Sequence, residues 1–120
     1  METERFRELV MEAIQRLPEE FASRLENVDV VVADWPTRGD LARARQRRGG
    51  TLLGLYEGVP QTKRGRYGLV APDKITIFQR PIEAYCHSEA EVSREVERVV
   101  KHEIAHHFGI SDQRLRELGY

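Results

Sequence analysis

Towards the C-terminal end of this chain His102 and His106 stand four residues apart, in the run His102-Glu103-Ile104-Ala105-His106-His107-Phe108-Gly109-Ile110-Ser111-Asp112. On an α-helix that spacing is close to one turn. The two imidazoles rise by about 6 Å along one face and can grip a single cation from the same side. Neutral imidazoles at this spacing suit zinc. Glu103 leaves the helix about 100° from His102, where it can reach a water on the cation without becoming a ligand. That is the place of the general base in an H-E-x-x-H arrangement. The chain must therefore build a helix here with one edge left open.

Two ligands do not close a site, because a catalytic zinc takes three protein ligands and keeps a fourth place for water or substrate. If the helix ran on, Asp112 would lie roughly 9 Å beyond His106 and point elsewhere. The helix is therefore expected to stop at Gly109, where a left-handed residue costs nothing sterically, and the reversed chain can bring Asp112 back towards the metal. The spacing leaves alternatives open. Gly109 is also an ordinary helix terminator, Ser111 or Asp112 can cap a following helix, and His102 and His106 can be core histidines with no metal between them.

The run fits the long pattern H-E-x-x-H-x-x-G-x-x-H/D of metzincin-type zinc peptidases, with Asp in the third place as in the snapalysin group. More closely, HEIAHHFGISDQRL, with LLGLYEGVP and PDKITIFQRPIE upstream, resembles the small bacterial zincin-like metallopeptidase family, over about residues 50 to 118. The resemblance implies a compact zincin-like fold, one Zn2+ held by His102, His106 and Asp112, and Glu103 as catalytic acid and base. It departs from metzincins in one respect. They carry a methionine turn after the third ligand, whereas both methionines here, Met1 and Met11, lie at the other end. The floor of the site is expected to be built differently.

At 120 residues the chain is expected to form one domain, residues 1 to 120, able to bury a core without covalent staples. Net charge is −1, and no apolar run is long enough for a membrane span or a signal peptide. A soluble cytoplasmic protein follows as the expectation. The single cysteine, Cys86, excludes an intramolecular disulfide and reads as a small buried apolar residue.

Periodicity gives an α+β fold, with a small mixed sheet of three or four strands packed against helices. Phe6, Leu9, Val10, Ala13, Ile14 and Leu17 recur at three and four, the mark of an amphipathic first helix. Pro18, Glu19 and Glu20 suit the start of a second, short helix carrying Phe21 and Leu25 inward. Val28 to Ala33 reads as a strand, Asp40 to Gln46 as a short helix capped by Asp40, and Thr51 to Glu57 as the second strand. Gly58 to Gly68 reads as an exposed loop across the cleft. Lys74 to Gln79 alternates as the third strand, either the edge that lines the cleft or an interior strand. Ser88-Glu89-Ala90-Glu91 matches a capping box, so the active-site helix should run over 89–108. Its broad apolar surface places it between the sheet and the N-terminal helical layer, with the histidines at one border.

The remaining polar residues weigh less. His107 points about 100° from His106 and reads as a neighbour of the site or a surface residue. Tyr85, Tyr120, His107 and Arg114 are all conceivable oxyanion donors. Trp35 reads as a core or lid residue before a groove residue. Arg43, Arg45, Arg47, Arg48, Lys63, Arg64 and Arg66 could form a basic cluster, but near-zero net charge makes nucleic acid an unlikely partner. The function expected is zinc-dependent hydrolysis of peptide or protein substrates. The alternatives are a non-catalytic zincin-fold binding module and a zinc-dependent ribonuclease, against which Glu103 argues. Little chain follows Gly109 to wall the cleft, so a homodimer or another partner is one way to complete it.

Overall fold

The computed structural model describes residues 1–46, 53–58, 72–117 and 119. Within them an N-terminal helix, α1 (Thr3–Gln15), is followed by α2 (Glu19–Ala22) and a 3-10 turn at Ser23–Leu25. Strand β1 (Val28–Ala33), helix α3 (Arg38–Gln46), strands β2 (Gly54–Glu57) and β3 (Asp73–Phe78), and helices α4 (Gln79–Tyr85), α5 (Glu89–Phe108) and α6 (Asp112–Glu117) complete the order. The fold is the α+β one expected, and α5 has the bounds read from its capping box and terminal glycine.

The three strands form a mixed sheet in the order β1-β3-β2. β1 runs parallel to β3 with Val30 opposite Ile75, and β2 runs antiparallel to β3 with Tyr56 opposite Ile75. The third strand is therefore the central one, and within the described sheet β2 is the antiparallel edge. Burial fits that order, because Ile75, Thr76, Ile77 and Phe78 are all buried, as a strand flanked on both sides requires. Gln79, expected at the end of this strand, already belongs to α4.

The sheet face carrying Val28, Val30, Val32, Tyr56, Ile75 and Ile77 packs on the apolar side of α5, which contributes Val92, Val96, Val99, Val100 and Ile104. The far side of α5 meets α1 through Phe6, Leu9, Val10 and Ala13. Polar contacts add to that seam. Arg5 forks onto Glu89, and Arg16 reaches Ser93 Oγ at 2.6 Å and Glu97. Ser88 caps α5 by accepting from the Glu91 N–H at 3.2 Å. At the start of α3 Thr37 is the cap and Asp40 the reciprocal partner: the Asp40 N–H donates to Thr37 Oγ1, and the Thr37 N–H to Asp40 Oδ2.

One contact sets how closely sheet and helix approach. A Cβ added at Gly54 would lie 2.5 Å from Val99 Cγ1 and 3.3 Å from the Thr76 carbonyl oxygen, so no side chain fits between β2 and α5. Gly54→Ala is expected to lower stability by about 1–3 kcal/mol, read from the urea midpoint. Adding Val99→Ala should cost less than the two single changes summed, since it clears the nearest atom. Strict additivity would show that the contact is not close.

Candidate metal centre

His102 and His106 both stand on the exposed side of α5, with ring centroids 6.1 Å apart and planes inclined at 35°. A tetrahedral zinc with Zn–N bonds of about 2.0–2.1 Å sets two imidazole centroids about 5 Å apart. The observed centroids are about 1 Å farther apart than that. Glu103 projects to the other side of that border, where it is only 3% exposed and buried between α5 and β2. Its Oε1 accepts a hydrogen bond from the backbone N–H of Tyr56 at 3.0 Å. Gly54 makes this possible, because the strand drops onto Val99 and the Cγ of Glu103 and brings the Tyr56 N–H within reach two residues on.

α5 ends as the sequence required. Gly109 has φ 68°, with open space where a Cβ would stand, and the chain turns back into α6. Ile110 packs against the core, Leu115 is buried, and Ser111 Oγ accepts from the Arg114 N–H at 3.1 Å to cap α6. Asp112 is the first residue of this helix, and its side chain lies outside the described residues. Among the described residues no group of three His, Cys, Asp or Glu side chains converges on one point. His102 and His106 are the pair brought together.

A buried polar cluster behind the histidine-bearing turn had no clear signal in the sequence. The Tyr56 hydroxyl donates to Asp73 Oδ2 at 2.7 Å, and His107 Nε2 lies 3.9 Å from the same oxygen. The His107 ring stacks on Tyr56 at 3.9 Å between centroids, and Phe108 meets both rings edge-on, at 5.8 Å from Tyr56 and 4.8 Å from His107. His107 is thus packed behind the last turn of α5. The third strand, expected to begin at Lys74, begins at Asp73. Strand pairing places Asp73 diagonal to Tyr56 on the same sheet face, which a single-strand pattern does not reveal.

The structure also sorts the other candidates. Arg114 is engaged by Glu20 and Glu117. Tyr85 is 73% exposed at the end of α4, and Tyr120 lies outside the described residues. Trp35, expected in the core or a lid, is 63% exposed, because the chain leaves β1 into a bend ahead of Pro36. Cys86 is half-buried, and burial pushes its thiol pKa up, with Glu95 and Glu91 acting in the same direction, which disfavours a nucleophilic thiolate. In the basic cluster Arg43 is paired with Asp40 and Glu57, while the side chain of Arg45, and Arg47, Arg48, Lys63, Arg64 and Arg66, lie outside the described residues, as do most of the loop expected over Gly58 to Gly68, together with Thr51 and Leu52.

A family model described as zincin-like metallopeptidase matches residues 25–120. The chain belongs to that family. The zincin-like match begins earlier than the motif-bearing stretches, taking in β1 and α3 as well as the histidine helix. No curated protein matches the chain. Zinc use and action on peptides or proteins are what this zincin-like family implies. Among the described residues no helix is long and apolar enough to cross a membrane.

Tyr56→Phe removes a donor from the buried Asp73 carboxylate. A loss of about 1–3 kcal/mol in denaturant unfolding is expected. A change inside ±0.3 kcal/mol would show that the hydroxyl does not support the carboxylate.

Proposed function

We propose that the chain is a single-domain cytoplasmic zinc peptidase in which His102, His106 and Asp112 hold one Zn2+ and Glu103 is the general base and acid. The observation that carries this reading is the pairing of opposites on one helix turn. Two imidazoles stand exposed at the same face, and the carboxylate between them in sequence is buried and fixed by a strand N–H. Burying a carboxylate is costly unless hydrogen bonds compensate, so Glu103 is a poor choice for filling a core. It is a good choice where an oriented base is needed beside a metal.

The bound zinc would supply Lewis acidity, acidifying water and polarising the scissile carbonyl. The chain's own residues do the rest. His102 and His106 would hold the ion on the exposed side of α5, and the chain leaves Gly109 with Asp112 at the head of α6. Glu103 takes the proton from the attacking water and returns it to the leaving amine. The Tyr56 N–H holds one carboxylate oxygen and so limits rotation of the other, which keeps the base aligned through both transfers. A peptide substrate would lie along the edge of β2 away from β3, beside the exposed histidines of α5.

Glu103→Gln preserves shape and the acceptor for the Tyr56 N–H. It is expected to bind zinc like the parent, by metal analysis after dialysis, and to lose at least a hundredfold in peptide turnover. His102→Ala and His106→Ala should each lose the metal. Undiminished hydrolysis by Glu103→Gln, or zinc retained by both histidine variants, would remove the assignment.

A further inference from the structure

Two side chains from the N-terminal layer reach the metal helix on either side of the Gly109 reversal. Before it, the Arg24 guanidinium sits 4.9 Å from the ring centroid of Phe108, the last residue of α5. After it, Glu20 takes a fork of two bonds from Arg114 in α6, Nε to Oε1 at 3.3 Å and Nη2 to Oε2 at 2.8 Å. Arg114 Nη1 also donates to Glu117 Oε2 at 3.2 Å, which holds the guanidinium plane in line with the fork. Glu20 and Arg24 lie four residues apart, in α2 and the 3-10 turn that extends it, and both precede residue 25, where the family match begins.

Such a bracket has a mechanical consequence. Gly109 gives the reversal a backbone that no side chain stiffens, and α6 has only six residues. Its other anchors among the described residues are Leu115, at the border of the core, and Ile110, packed against it. With Leu115 the one buried apolar residue described within α6 itself, the position of this short helix is fixed but its rotation is loosely set. The Glu20 fork acts on α6 two residues beyond Asp112, and the Arg24 contact fixes the stem from which α6 departs.

We propose that Glu20 and Arg24 are positioning residues for the metal centre, holding the two sides of the Gly109 reversal so that α6 presents Asp112 to the ion gripped by His102 and His106. This rests on the assignment of Asp112 as the third ligand. Zinc affinity then scales with the fraction of molecules whose α6 is correctly set. Because the contacts are exposed, each is worth a modest factor rather than the whole site.

The test is the Zn2+ dissociation constant of the full chain, measured by competition with a chromophoric chelator, alongside the melting temperature of the metal-free protein. Glu20→Gln, Arg24→Gln and Arg114→Gln are each expected to weaken zinc roughly two- to fivefold, with melting temperatures close to the parent's. Arg114→Lys, which keeps the charge but not the fork, should fall between Arg114→Gln and the parent. Asp112→Ala should weaken zinc more, and adding Glu20→Gln to it should change nothing further. Parent-like affinity in the Glu20 and Arg114 variants beside a weakened Asp112→Ala overturns the bracket and leaves the ligand standing. An effect of Glu20→Gln that persists without Asp112 overturns it too. Parent-like zinc binding by Asp112→Ala overturns the ligand assignment and the bracket with it.

Discussion

Between Gly54 and Val99 there is no room for a methyl group, and the candidate site depends on that closeness. A strand seated this near a helix can offer its outward N–H to a side chain of the helix, and Tyr56 offers one to Glu103. Once Glu103 is held there, the rotation of α5 about its own axis is fixed. Residues one before and three after it, His102 and His106, then emerge together at the border with solvent, because 100° per residue leaves them no other place. The exposure of the imidazoles and the burial of the carboxylate are two results of one packing contact.

Much of this was legible from the sequence because it is local. The i, i+4 histidines, the Ser88 cap and the terminating Gly109 all lie within one helix, and they define α5 without knowledge of any partner. What could not be read is pairing across distance. β3 has the same alternation whether it is an edge or an interior strand, and only the sheet shows β1 and β2 on either side of it. Asp73 precedes the stretch that alternates, and its role shows only when β2 is laid beside it and the Tyr56 hydroxyl is found 2.7 Å away. Trp35 misleads for a related reason, since its size argues for burial while the bend ahead of Pro36 carries it outward.

The N-terminal helices read as scaffold, and their apolar stripe is that. Their polar side has a second character. Arg5, Arg16, Arg24 and Glu20 each contact α5 or its continuation, at Glu89, Ser93 and Glu97, Phe108 and Arg114 in turn. Taken in order these contacts run along α5 from its first residue to beyond its last. Individually they are weak, as exposed ion pairs are. Collectively they oppose sliding and tilting of α5 against α1, motions that an apolar seam alone resists poorly because it has no directional bonds.

A floor built differently from the metzincin one raises the question of what packs at the last turn of α5. Neither methionine serves: Met11 is 54% exposed on α1, and the Met1 carbonyl is held by Gln79 and Arg80 of α4. Behind the last turn of α5 there is an aromatic stack instead, with Tyr56 against His107, Phe108 edge-on to both, and Arg24 over the outer face of Phe108. Flat rings in such contact tolerate little tilt, and the Asp73 carboxylate ties the innermost ring to the start of β3. A thioether fills space by adapting its shape, whereas this stack fills it by resisting change. In a helix whose carboxylate is already fixed by β2, rigidity at the final turn leaves the Gly109 reversal as the place where the setting of α6 can still be adjusted.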